Sequence, residues 1–129
     1  MIVLHSDEAP KAVGPYVQGI IPDSPGVPVY LSGQVGLIPA TGKLAEGLEA
    51  QTHQVFANIK AVLKEASLGL DAITYVNVLL VDISHFQAVN TIYAQYFPNT
   101  QPTRAAYAVN ALPLGALIEV VAIAWKKLP

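Results

Sequence analysis

The stretch that decides the fold is ITYVNVLLVDISHFQAVNTIYAQYFPNTQPTRAAYAV, residues 73–109. Ile73–Val81 is rich in β-branched residues and apolar at both odd and even positions, which predicts a strand buried on both faces. Ser84–Gln87 fits a capping box that opens a helix, and Pro98 stops that helix. Thr103–Val109 then predicts a second strand. A strand–helix–strand unit of this kind predicts parallel pairing of its two strands.

The rest of the chain adds further strands and one more helix around this unit. Ile2–Leu4 is a short strand candidate, and a turn at Pro22–Gly26 separates the extended segments GPYVQGIIP and VPVYLSGQVGLI. Glu46–Ala66, followed by Gly69, predicts a helix, and Leu117–Trp125 predicts the last strand. Two helices can cover one face of a mixed sheet, so the pattern predicts an α+β fold. The helical side chains expected to face the core are Val55, Phe56, Ile59, Val62, Leu63 and Ala66, then Phe86, Val89, Tyr93 and Tyr96.

Composition narrows the class of protein. The chain has 129 residues, of which 53% are hydrophobic and only 12% charged, and we expect one domain spanning residues 1–129. No apolar run is long enough for a membrane span, and the N-terminus lacks the basic region of a signal peptide. Because the central strands are apolar on both faces, the face that the helices leave uncovered favours contact with another copy of the chain. The cytoplasm is the default compartment, and a mitochondrial location stays open.

Two isolated charges stand in the last two strands. Arg104 is the only arginine of the chain, and strand alternation places it among small alanine side chains that leave space above its guanidinium. Glu119 is the only acid in an otherwise apolar row. One interpretation is an ion pair between Arg104 and Glu119 that sets strand register. The other is a carboxylate clamp, in which the planar guanidinium grips a small carboxylate and Glu119 orients or deprotonates a water.

Other signals are weaker. Ser32 and Gly33 end an extended segment, where they could offer a hydroxyl and an open backbone N–H or simply form a bulge. Tyr16 either packs half-buried or contacts a ligand, and Asn90 is either a solvated or capping residue or a ligand contact. The three histidines lack metal-ligand spacing, so no metal site is expected. The net charge of −2 and the absence of a basic tract argue against nucleic acid as a partner.

Several motifs together resemble a known family. In order, GPYVQG, YLSGQVGLIPATGKL, QVFANIKAVLKEA, LLVDISHFQAVNTIYAQYF, PTRAAYAV and ALPLGALIEVVAIA are similar to the motifs of the Rid (reactive intermediate deaminase) family, also called YjgF or endoribonuclease L-PSP, and of its RidA subgroup. The resemblance covers residues 8–125. It implies a chorismate-mutase-like fold, with a six-stranded mixed sheet, two helices packed on one face, and a homotrimer with clefts between subunits. It also implies hydrolysis of 2-iminobutanoate and 2-iminopropanoate, reactive products of pyridoxal-phosphate enzymes, to 2-oxo acids and ammonia.

The same resemblance implies roles for individual residues. Arg104 would bind the substrate carboxylate and Glu119 would hold the attacking water. Ala106 replaces a cysteine found in many members, and Val121 stands where a second glutamate is usual. The expected partners are copies of the chain and small 2-imino or 2-oxo acids, with no cofactor required. Two other functions stay open: an endoribonuclease or translation inhibitor, and a non-catalytic 2-oxo acid binder or holdase. The other cleft residues implied are Tyr16, Ser32, Gly33 and Asn90.

Overall fold

The structure, a computed structural model, describes all of residues 1–129. Its strands are β1 (Ile2–Leu4), β2 (Gly19–Ile21), β3 (Gly26–Val35), β4 (Leu37–Ile38), β5 (Lys43–Leu44), β6 (Ile73–Leu80), β7 (Thr103–Ala108) and β8 (Ile118–Lys127), and its helices are α1 (Leu48–Glu65) and α2 (Phe86–Tyr96). The central sheet has the order β3-β8-β6-β7. β8 is antiparallel to both neighbours, whereas β6 and β7 are parallel. The parallel pairing expected of the strand–helix–strand unit is therefore confirmed.

The number of strands in the sheet differs from the expected six. The central sheet has four strands, and β1–β2 and β4–β5 form separate two-stranded ribbons. The α+β class, the mixed sheet and the two helices are confirmed, whereas a six-stranded sheet is not. Proline accounts for part of the difference, because Pro22 and Pro25 lie between β2 and β3 and neither can donate a ladder hydrogen bond. Pro28 lacks the same donor, which fits the place of β3 at an edge of the sheet.

Helix α1 packs on the sheet through the predicted apolar stripe, with one exception. Val62 is 45% exposed because it lies at the margin of the stripe, so its assignment to the core is wrong. The helix also ends without help from Gly69. Ser67 adopts the left-handed conformation, with φ of 60°, and its N–H donates to the carbonyl of Lys64 at 2.9 Å. The fully buried side chains of the stripe are Thr52, Val55, Phe56, Ile59 and Leu63.

Helix α2 begins later than the capping box predicts. The side chain of Asp82 accepts a hydrogen bond from the backbone N–H of Ser84 at 2.9 Å, and a short 3-10 turn follows before α2 starts at Phe86. The Ser84–Gln87 capping box is therefore wrong, because a carboxylate is the stronger acceptor and Asp82 comes first in the chain. The stop ahead of Pro98 is confirmed. Neither α1 nor α2 is long and apolar enough to cross a membrane.

The two faces of the central sheet are covered differently. Along β6 and β8, Val76, Val78 and Val120 are buried in one core cluster with the helices. The alternate side chains are only half-buried and point to the other side, which we call the open face. Tyr30 on this face is 75% exposed and Tyr107 is 48% exposed. The uncovered face that the sequence predicts is present in the chain.

Candidate functional site

Arg104 lies on β7, the edge strand beyond β6, and its side chain reaches the helix-covered face of the sheet. Its Nη1 donates a hydrogen bond to Oδ1 of Asn90 on α2 at 2.7 Å. Its guanidinium carbon lies 4.9 Å from the ring centre of Tyr93 and 5.4 Å from those of Tyr16 and Phe86. These distances are within the range of cation–π attraction. We call these five residues the arginine cluster.

Gly14 allows the N-terminal segment to approach the guanidinium. A Cβ on residue 14 would lie 2.8 Å from Nη2 of Arg104, a distance that would force a shift in one of them. The N–H of Val17 donates to the carbonyl of Pro102 at 3.2 Å, two residues before Arg104. This bond joins the segment that carries Tyr16 to the start of β7. The absence of a side chain at residue 14 is therefore part of how the arginine cluster is built.

The guanidinium has no acidic partner within the chain. The ion pairs of the structure involve neither Arg104 nor Glu119, so the interpretation of these residues as an ion pair is wrong. Partial burial lowers the pKa of Arg104 from its usual value, and the phenol groups of Tyr93 and Tyr16 oppose that change. Arginine keeps its charge through shifts of this kind. The chain thus holds a half-buried cation that no carboxylate neutralises.

Glu119 lies on β8 and its side chain points to the open face. The ladder between β3 and β8 shifts register between Leu31 and Gln34, which confirms the bulge interpretation of Ser32–Gly33. A Cβ on Gly33 would lie 2.9 Å from the carboxyl carbon of Glu119. The bulge and its glycine therefore leave room for the carboxylate beside the strand. We call Ser32, Gly33 and Glu119 the glutamate cluster.

The predicted site residues thus form two groups instead of one. Tyr16 and Asn90 lie beside Arg104, so the interpretation of Asn90 as a solvated or capping residue is wrong. The glutamate cluster occupies the opposite face of the same sheet. A sheet that separates the two clusters prevents Arg104 and Glu119 of one chain from contacting the same small molecule.

Two members of the arginine cluster were assigned by sequence only to the hydrophobic core. Phe86 and Tyr93 do pack in or against the core, but both rings also face the guanidinium. The sequence does contain a pattern that places Phe86 and Tyr93 beside a site residue. Phe86, Asn90 and Tyr93 recur at helical spacing, which places the amide of Asn90 on the same face of α2 as the two rings.

A comparison with family models identifies the chain. Residues 6–126 match the model described as Endoribonuclease L-PSP. The chain belongs to the Rid family. A solved structure of a Rid family protein from Yersinia pestis is 41% identical, superposes with a TM-score of 0.75, and covers 97% of this chain and 98% of its own.

Relatives in the Rid family with assigned names include deaminases. The 2-iminobutanoate/2-iminopropanoate deaminase of Capra hircus is 42% identical, with 95% of this chain and 88% of the goat protein aligned. Reactive Intermediate Deaminase A, chloroplastic, of Arabidopsis thaliana is 43% identical over 95% of this chain. The chain spans 64% of the length of the Arabidopsis protein. The names of these relatives indicate hydrolysis of carbon–nitrogen bonds as the chemistry found among similar Rid proteins.

Proposed function

We propose that this protein hydrolyses small 2-imino acids, such as 2-iminobutanoate and 2-iminopropanoate, to 2-oxo acids and ammonia. The observation that carries the proposal is the guanidinium of Arg104, which is half-buried, held by Asn90 and three aromatic rings, and free of any acidic partner. A cation held in this way suits a small carboxylate. The names of the goat and Arabidopsis relatives support the same reaction.

Arg104 is the substrate anchor in this proposal. Its Nη1 is engaged by Asn90, so the remaining N–H groups of the planar fork are available to the two oxygens of a carboxylate. Lysine offers a point charge without the fork and cannot reproduce that geometry. The ring centre of Tyr16 lies 5.4 Å from the guanidinium carbon, and the ring would contact the apolar part of a small substrate.

Glu119 supplies the second half of the site from a neighbouring copy of the chain. The sheet separates the two clusters within one chain, so a complete site requires the open face of one copy to approach the arginine cluster of another. The exposed tyrosines Tyr30 and Tyr107 of the open face favour such contact. We propose a homotrimer, in which a closed ring of three copies forms three equivalent sites.

The reaction needs few groups, because an imine carbon is already electrophilic. Glu119 accepts a proton from a water whose oxygen forms a bond to the imine carbon, and the nitrogen takes up a proton to give a carbinolamine. The hydroxyl proton then passes to the nitrogen, directly or through Glu119, and the carbon–nitrogen bond breaks to release ammonia and the 2-oxo acid. The reaction requires the imine carbon within about 3 Å of that water, and holding the carboxylate on Arg104 would fix the position of this carbon. All atoms come from the imino acid and one water.

A coupled assay tests this function. Threonine dehydratase releases 2-iminobutanoate, and the rate of 2-oxobutanoate formation is followed with and without the protein. We expect faster formation with the protein, and a loss of that acceleration by about a hundredfold or more for Arg104→Lys, because the anchor is misplaced. Lys64→Ala on the outer surface of α1 is the matched control and should keep the wild-type rate. No acceleration by the wild-type protein would refute the proposal.

The family description leaves ribonuclease activity as a second candidate. The net charge of −2 and the lack of a basic tract give RNA little to bind. Cleavage of RNA by purified protein that disappears in Arg104→Lys would favour the ribonuclease. Cleavage that persists in the variant comes from a contaminant. The imine assay then decides whether the protein is a deaminase.

A further inference from the structure

A cavity at the end of the sheet where β6 and β7 begin is not used by the proposed reaction. It has a volume of about 550 Å³ and lies where the β1–β2 ribbon, the turn after α1 and the last residues of β8 meet. None of its lining residues belongs to the arginine cluster or the glutamate cluster. Cavities of this size hold small organic ligands. Its walls include Val3, Ile20, Leu68, Ala72, Trp125 and Lys127.

The cavity combines an apolar body with an excess of positive charge. Eight of its 15 lining residues are hydrophobic, and the charged side chains among them are Asp71, Lys126 and Lys127. The N-terminal ammonium of Met1, another lining residue, is paired with the carboxylate of Asp23 at 3.1 Å. Lys126 is fixed, because its Nζ donates to the carbonyl of Ala66 at 2.5 Å. Lys127 forms no ion pair and its side chain is exposed. Two cations against one acid favour a ligand that carries a negative charge.

Trp125 lines the cavity, and its indole ring is fixed. Its indole N–H donates to the carbonyl of Ser24 at 3.1 Å, which holds the ring in place. Gly26 packs directly against this ring, since a Cβ there would lie 2.5 Å from the indole nitrogen. A fixed indole beside lysine cations suits a ligand with a flat apolar body and an anionic group.

The walls of the cavity continue into the arginine cluster. Ile20 follows Tyr16 in the same N-terminal segment, and Gln101, another lining residue, precedes Arg104 by three residues. The hydrogen bond from the N–H of Val17 to the carbonyl of Pro102 joins these two segments between the cavity and the cluster. A ligand that contacts both walls would therefore shift or restrain the residues that hold the guanidinium.

We propose that this cavity is a second ligand site for a small aromatic carboxylate, and that its occupation changes the affinity of the arginine cluster for substrate. Binding of the aromatic carboxylate is argued from the cavity alone. The coupling, which is the effect of that ligand on substrate affinity, rests on the proposed function. Reciprocity follows from linkage, so substrate binding changes the affinity of the cavity by the same factor.

Tryptophan fluorescence measures binding directly, because Trp125 is the single tryptophan of the chain. The probe is 4-bromophenylacetate, whose bromine quenches a nearby indole, and 4-bromobenzyl alcohol is its uncharged counterpart. We expect saturable quenching by the acid with an affinity at least about threefold higher than that of the alcohol. Arg104→Ala should keep this quenching, which separates the cavity from the arginine cluster.

Two variants of the cavity make the binding test decisive. Ala72→Leu places extra volume inside the cavity and should abolish saturable quenching. Lys127→Ala removes an exposed cation without disturbing the core. It should lower the affinity for 4-bromophenylacetate by about threefold and leave the affinity for 4-bromobenzyl alcohol unchanged. Equal, unsaturable quenching by acid and alcohol would overturn the site, and so would quenching that survives Ala72→Leu but is lost in Arg104→Ala.

The coupling is tested in the imine assay with a saturating concentration of 4-bromophenylacetate. We expect KM for the imino acid to change by at least about twofold in the wild type and to be unaffected in Ala72→Leu. A change that persists in Ala72→Leu reflects competition at Arg104 and overturns the coupling, as does no change in the wild type. If no sample, including the wild type, accelerates imine hydrolysis, the proposed function is refuted. The fluorescence result then still decides whether the cavity binds the acid.

Discussion

The arginine cluster and the glutamate cluster lie on opposite faces of one sheet and are built to different degrees. Arg104 is surrounded by its own chain, with Asn90 bonded to it and three aromatic rings around it. Glu119 has room made for it by Gly33, yet forms no ion pair and faces the open side of the sheet. The difference shows that a single chain surrounds Arg104, the proposed anchor, and leaves Glu119, the proposed water-holding acid, facing the open side. The neighbouring copy of the chain that we propose would complete the surroundings of Glu119.

Subunit mixing gives the largest expected effect. Arg104→Ala and Glu119→Gln should each lower imine hydrolysis by about a hundredfold or more as pure proteins. Reassembled from equal amounts, they should recover about a quarter of the wild-type rate, because one random arrangement in four joins an intact arginine cluster to an intact glutamate cluster. The rate is measured after co-refolding of the two variants.

The matched control mixes Arg104→Ala with an Arg104→Ala, Glu119→Gln double variant. That mixture contains no intact arginine cluster and should stay inactive. A mixture of the two single variants that also stays inactive, although trimers form, would show that the clusters do not meet across copies.

A pair of glycine substitutions sharpens the comparison further. Gly14→Ala brings a Cβ to 2.8 Å from Nη2 of Arg104, and Gly33→Ala brings one to 2.9 Å from the carboxyl carbon of Glu119. We expect Gly14→Ala to act mainly on KM and Gly33→Ala mainly on kcat, each by about tenfold to a hundredfold. Steady-state kinetics in the dehydratase-coupled assay separates the two. Identical changes in KM and kcat for both variants would mean that the clusters do not divide binding from chemistry.

The separation of the two clusters shows what the sequence could predict and what it could not. Alternation along β7 correctly places Arg104 on the other face of the sheet from the residues next to it in the chain. Alternation along β8 does the same for Glu119. Whether Arg104 and Glu119 share a face depends on the order and register of the strands in the sheet. Order and register are set by contacts between residues far apart in the chain. For that reason an ion pair between Arg104 and Glu119 stayed open from sequence and was excluded only by the structure.

Element types were predictable, whereas caps and strand number were not. The periodic segments for both helices and for β6, β7 and β8 are strong local signals, and all of them are confirmed. The capping box failed because Asp82 competes for the N–H that Ser84–Gln87 was expected to engage. Pro22 and Pro25 were recognised as a turn, but whether β2 then joins β3 depends on tertiary packing and is not a local property.

A stability measurement probes how the arginine cluster is held. The hydroxyl of Tyr93 is buried and has no hydrogen-bond partner, and an unsatisfied buried polar group is destabilising. Tyr93→Phe removes the hydroxyl and keeps the ring beneath Arg104, so we expect the free energy of unfolding to rise by about 1 kcal/mol. Urea denaturation of wild type and variant measures it. A loss of stability of similar size would reveal a partner for the hydroxyl.

The smallest expected effect is on the pH dependence of stability at alkaline pH. Burial raises the pKa of Tyr93 above that of a free tyrosine, with Arg104 opposing the shift, and partial burial raises the pKa of Tyr96 as well. Because the folded chain keeps phenol protons that the unfolded chain releases near about pH 10, unfolding releases protons and stability falls as pH rises past that value. Tyr93→Phe removes one of these groups, so the fall measured by urea denaturation between about pH 9 and 11 should be shallower than in the wild type. Equal slopes would mean that the Tyr93 hydroxyl loses its proton as easily in the folded chain as in water. The ring beneath Arg104 would then be open to solvent, and the contrast between a closed arginine cluster and an open glutamate cluster would no longer hold.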